Sequence, residues 1–174
     1  MAEALPELEH LTDATGKKVG LEAACLAVFL SVFTILAHRS HTESVTLRNE
    51  ESNEWAHYQA KRIRDSQLDL NSKLALLLAP KNPEAEKIVG EWTAKRNEYK
   101  KELDEIDQEA RKKAALGIQV ESKACYFDLA EGILDIALVL CSLYFLSRKL
   151  FLPLFGLAAG IAGVVLGVIG LFVH

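Results

Sequence analysis

Three apolar blocks, residues 19–37, 128–147 and 150–173, constrain this chain more than any other feature. Each approaches the ~20 residues that a helix needs to cross ~30 Å of hydrocarbon. Hydrophobic residues make up 50% of the 174-residue chain, yet they are gathered into these blocks while the middle is intensely charged. The usual inference from length, one globular domain, therefore gives way to three transmembrane helices.

Charge argues about partners. Residues 39–123 hold 16 Lys or Arg and 16 Asp or Glu, so the polar middle is neutral and the formal net charge of −4 arises outside it. A neutral, interleaved surface is neither a nucleic-acid footprint nor a polybasic lipid clamp. Membrane lipids are the expected surroundings of the apolar blocks, and no nucleic acid is expected. The polar segment 1–18 is acidic before Lys17 and Lys18, and no small-x-small cleavage signature follows the first block, a pattern that reads as an uncleaved signal anchor. Of three cysteines, Cys25 and Cys141 fall inside spans and Cys125 at a span edge, so the polar middle has no disulfide framework.

Between Gly20 and Pro80 there is neither glycine nor proline, a run of 59 residues that can carry the first span into the polar middle as one helix. APKNP, residues 79–83, interrupts it. Asn82 suits an N-cap and Pro83 the first helical position, so a second helix is expected from Pro83 past Leu146. Apolar residues then follow a four-three alternation: Tyr99, Leu103, Ile106, Ala110, Gly117, Val120, Ala124 and Phe127 in the second arm, interrupted by Lys113, and Ala56, Ala60, Ile63, Gln67, Leu70, Leu74 and Leu77 in the first. Heptad spacing keeps a seam toward a partner helix. Nearer the membrane the first arm places Thr42, Thr46, Asn49 and Asn53 on its expected seam. At ~1.5 Å per residue the arms measure roughly 63 and 67 Å. The expected fold is thus an all-α membrane protein: three transmembrane helices, with a long antiparallel coiled-coil hairpin, residues 38–127 with its tip at 79–83, between spans one and two. Lys17, Lys18, Arg148 and Lys149 flank short segments on one membrane face and favour it as cytoplasmic, which puts the hairpin on the periplasmic side.

Two constellations stand out. Gly156, Gly160, Gly163, Gly167 and Gly170 form one stripe along span three, and in lipid small residues let backbones approach closely where hydrophobic burial gives no driving force. The stripe is expected to pack helices, within the chain or between copies; lining a pore is the alternative. Asp128, Glu131 and Asp135 share a face of span two, and acids at membrane depth are candidates for an ion or proton path. In a hairpin turning near residue 81, facing residues sum to about 163 by antiparallel pairing, which sets Asp128 near Ile35 and Arg39, Glu131 near residues 31–34, and Asp135 near Val28. Glu22 and Lys18, one turn apart, read as an ion pair. His38 and His41 with Glu43 do not close a metal site, and neither a nucleotide loop nor a catalytic nucleophile is present by spacing, so neither enzyme activity nor a cofactor is expected.

The run HTESVTLRNEESNEWAHYQAKRIR, residues 41–64, preceded by an apolar span, resembles the bacterial membrane-protein family catalogued as domain of unknown function 4337. Trp55, Tyr58, Gln59, Lys61 and Arg64 carry most of the likeness. The resemblance implies a bacterial inner-membrane protein and confers no activity. Together these features lead to the expectation of a structural or scaffolding protein that forms a helical homo-oligomer or serves as an accessory subunit of a membrane complex, with a proton or cation channel as the alternative.

Overall fold

A computed structural model describes residues 14–173; the acidic residues ahead of Ala14 and most of the expected signal-anchor flank lie outside them. The described chain holds three helices and no strand: α1, Ala14–Leu78, α2, Pro83–Ser147, and α3, Phe151–Phe172. All three carry stretches long and apolar enough to cross a membrane.

The turns follow from local chemistry. α1 ends where Pro80 cannot continue it; Ala79 N still bonds the Ala75 carbonyl at 3.0 Å, and Lys81 adopts a left-handed conformation, φ 66°, that reverses the chain. Asn82 then caps α2, its Oδ1 accepting from Glu84 N at 2.9 Å, while Glu84 and Glu86 place negative charge in the first turn, against the positive end of the helix dipole. At the far end of α2, Arg148 is left-handed, φ 58°, and its N–H closes the helix on the Tyr144 carbonyl at 2.8 Å.

The contacts divide the chain into two units. The first comprises the described parts of Met1–Glu43 and Gln119–His174, with all three apolar stretches. Its core is built from Val19, Leu26, Phe33 and Ala37 of α1 and Phe127, Ala130, Leu134, Ala137, Cys141 and Tyr144 of α2. Phe33 stacks on Phe127 with ring centroids 6.3 Å apart. In α3 the buried residues are Pro153 and the five glycines of the stripe, so every large side chain of this helix points outward or lies at the margin.

The second unit, Ser44–Ile118, pairs the remaining lengths of α1 and α2 antiparallel. On α2 the expected seam is observed: Ile106, Ala110 and Gly117 are buried, and Tyr99, Leu103, Lys113 and Val120 are half-buried. On α1 it is not. Ala56, Ala60, Ile63, Gln67, Leu70, Leu74 and Leu77 are all exposed, as are Thr42, Thr46, Asn49 and Asn53. The inner row is instead Ser44, Leu47, Glu51, Glu54, Tyr58, Lys61, Asp65, Leu68, Ser72, Ala75 and Ala79, an unbroken four-three alternation of buried and half-buried residues. The physical reason is charge pairing across the seam. Lys61 bonds Glu102, Arg96 reaches Asp65 at 2.9 Å and Asp69 at 2.5 Å, and Lys113 meets Glu54 at 2.9 Å and Glu50 at 3.5 Å. These pairs share the inner row with Leu47 and Leu68, while Ile63, Leu70, Leu74 and Leu77 stay on the outside.

Candidate functional site

In the first unit the glycine row and the acidic residues lie on elements that pack against each other, and they use the contact differently. The glycines are there because nothing larger fits. A Cβ on Gly156 would lie 2.8 Å from Cys141 Sγ and 3.0 Å from the Ala137 carbonyl oxygen; on Gly163, 3.0 Å from Leu134 Cγ and 3.2 Å from the Ala130 carbonyl oxygen; on Gly170, 2.9 Å from Tyr126 Cβ. On Gly160 it would overlap Leu26, and on Gly167 the Phe33 ring. The row therefore alternates: Gly156, Gly163 and Gly170 receive α2, while Gly160 and Gly167 receive α1. The four-three spacing that forms one stripe on a helix here seats α3 in the groove between two others, the close backbone approach that small residues permit. The row is covered by the chain's own helices, and no glycine of it is left exposed for a second copy.

The acidic face of α2 is divided. Asp128 faces His41, whose Nε2 lies 2.9 Å from Oδ2, two residues beyond the Arg39 expected from the register. Glu131 Oε1 accepts from the Thr34 hydroxyl at 2.9 Å, within the stretch expected for it. Asp135 is exposed on the outer side of α2, with Ile136 and Val139 beside it. The three carboxylates thus share a sequence spacing without sharing a common enclosed path. Glu22 does not pair with Lys18; its Oε1 accepts from Cys141 Sγ at 3.6 Å, a contact without a sequence signal, since it joins residues 119 positions apart. Beside it, α1 and α3 border an apolar groove of about 550 Å³ lined by Glu22, Cys25, Leu26, Phe29, Leu157 and Gly160, with Lys18 at one side.

In the second unit Trp55 and Tyr58, which carry part of the family likeness, serve the helix pair. Trp55 packs edge-on to Tyr58 at 5.7 Å and donates to Glu51 at 3.2 Å. Lys61 and Lys95 lie over the Tyr99 ring at 5.4 and 5.3 Å, the cation–π geometry that favours a retained charge. The ionic contacts tune the groups that make them. The Lys61 ammonium holds the Glu102 carboxyl below its ordinary value, Lys73 and Arg96 do the same for Asp69, and Glu54 raises the Lys113 ammonium. Among the described residues no three His, Cys, Asp or Glu side chains gather as metal ligands; His38 and Glu43 are exposed and His41 is turned to Asp128.

The chain is all-helical among its described residues, with three helices long and apolar enough to cross a membrane and a seam of ionic contacts between the two long ones, the architecture expected of a multi-pass membrane protein. It belongs to the family described as Domain of unknown function (DUF4337), whose match covers residues 15–173. No curated protein and no solved structure matches the chain.

Proposed function

We propose that the protein is a structural or scaffolding component of the bacterial inner membrane that assembles into a helical homo-oligomer and serves as an accessory subunit of a larger membrane complex, with the α1–α2 hairpin on the periplasmic side. It is neither an enzyme nor a binder of nucleic acid; its partners are lipids, its own copies and another membrane protein. One observation carries this reading: in the Ser44–Ile118 unit Lys61, Asp65 and Glu54 of α1 face α2, while Ile63, Leu70, Leu74 and Leu77 recur on the exposed side. A helix pair with ionic contacts on its own seam and a regular row of exposed aliphatic side chains is arranged to be covered by another surface, since exposed apolar surface of this kind marks interaction sites. Asp128 and Glu131 are each engaged by a neighbour, which favours a packing role over conduction.

Carbonate extraction of membranes followed by native mass spectrometry of the detergent-solubilised full chain tests it. The protein is expected to stay with the membrane pellet and to give one defined multiple of its 19.2 kDa mass. Release from the pellet, or a monomer alone, would overturn the reading.

A further inference from the structure

The outer row of α1 is more than a scatter of exposed leucines. Ile63 is 59% exposed, Leu70 58%, Leu74 44% and Leu77 76%. They recur at alternating steps of four and three with Gln67 in the middle, and this 3.5-residue period is the mark of a surface meant for a helix lying alongside over several turns. The inner row of the same helix, with its own four-three alternation, already has such a partner in α2. The outer row has none among the described residues.

The geometry points to a second copy of this chain as the occupant: we propose that two α1 helices pair in parallel through this row, with Gln67 of the two copies side by side. Three features favour a copy over any other helix. First, Ile63, Ser66, Gln67 and Leu70 border a groove on this face. Their spacing, i, i+3, i+4 and i+7, is that of the four residues that form the hole for one knob of a facing helix, and the knob at that level in a parallel copy is Gln67 itself. Second, a glutamine amide is both donor and acceptor, so two of them satisfy each other, whereas a lone polar residue against an unrelated apolar helix would be left unpaired. Third, the flanks tolerate self-pairing. In parallel register Arg64 faces Gln59 and Lys73 faces Leu78, so like charges do not oppose, and Lys73 is already matched by Asp69 at 2.6 Å in its own helix. The parallel sense rests on the membrane reading proposed above, because copies inserted the same way in one bilayer run α1 in the same direction.

The test uses the full chain in native membranes, in a background with Cys25→Ser, Cys125→Ser and Cys141→Ala. Ile63→Cys and Leu70→Cys are oxidised in parallel with Glu105→Cys, an exposed position of α2. The expected result is a covalent dimer at least tenfold more abundant at residues 63 and 70 than at 105. A second variant, Leu70→Lys with Leu77→Lys, changes only exposed side chains and is expected to keep its helicity by circular dichroism while its native mass falls below that of the unmodified chain. An unmodified chain that is oligomeric, but whose dimer yield is the same at all three cysteines or whose mass survives the lysine pair, overturns the parallel contact and leaves the assembly reading standing. Cross-linking of Leu70→Cys to a different polypeptide also overturns it. A monomeric unmodified chain overturns both, and the mass alone reports that failure.

Discussion

Lys113, the residue that breaks the hydrophobic repeat of α2, donates to Glu54 at 2.9 Å and lies 3.5 Å from Glu50 on the facing helix. A lysine in a helix–helix seam would otherwise be an interruption; here two acids one turn apart make it a fixed point of the register. Lys113→Met is expected to lower the thermal midpoint, and Lys113→Met with Glu54→Gln to fall by less than the sum of the two single changes, since each removes the same contact. A strictly additive pair in circular dichroism melts would show that the two side chains do not interact.

The acid limb of stability follows from the same seam. Glu102 and Asp69 titrate below their ordinary values of 4.5 and 3.8 because Lys61 and Lys73, respectively, bond the charged forms. A carboxyl whose folded value is depressed contributes stability that is present above its unfolded value and lost as pH falls through the folded one. The hairpin is therefore expected to lose helicity on acidification below roughly pH 4, and Glu102→Gln to be weaker at neutral pH but less sensitive to acid. Lys113 and Lys95, raised by Glu54 and Glu98, act in the opposite sense: their contribution is complete below the unfolded value of 10.5 and is lost as pH rises through the folded one. Helicity measured from pH 3 to 11 checks both limbs.

Glycines in this chain are of two kinds. Gly170→Ala must push against Tyr126 Cβ, 2.9 Å from the added atom, and is expected to destabilise by about 1–3 kcal/mol, the usual cost of overfilling a packed contact. Nothing lies within 4 Å of a Cβ on Gly90, so Gly90→Ala is expected to stabilise by up to about 1 kcal/mol through helix propensity alone. Equal effects of the two substitutions in thermal melts would contradict the packing described for α3.

Thiol labelling reads the first unit directly. Cys125 is exposed and Cys141 buried between α2, α3 and Glu22. In detergent Cys125 is expected to react with a maleimide at least tenfold faster than Cys141, the latter becoming reactive only on denaturation. Gly156→Leu should bring Cys141 into the reactive class by lifting α3 away.

Proton flux distinguishes a scaffold from a conductor. Liposomes carrying the protein are expected to hold a pH gradient as long as empty ones. A leak in the unmodified chain that is abolished by Asp135→Asn would replace the scaffold reading, since Asp135 is an acid of this face exposed on the outside of α2.

Hairpin, tip and glycine row are all legible in the sequence, because each is a local signal: the long stretch without glycine or proline, Asn82 ahead of Pro83, and small residues at a fixed period. The inner face of α1 is not legible by hydropathy. Aliphatic spacing marks Ile63, Leu70 and Leu74 as the seam, whereas the true seam is marked by complementary charges at long range, Lys61 with Glu102 and Glu50 with Lys113, whose numbers share one sum. That signal is present in the chain, but it is visible only when both arms are read against each other. His41–Asp128 and Cys141–Glu22 are a different matter: they depend on side-chain reach between helices, and an offset of two residues changes the partner.

Because ion pairs cross the Ser44–Ile118 unit while Ile63, Leu70, Leu74 and Leu77 face outward, the charged contacts inside that unit and the apolar contact proposed between copies differ in kind. High salt weakens the first and leaves the second; a mild detergent does the reverse. Under the proposed pairing, dissociation into protomers and separation of the hairpin arms would be separately addressable events, and such an assembly could be taken apart and rebuilt without refolding any member.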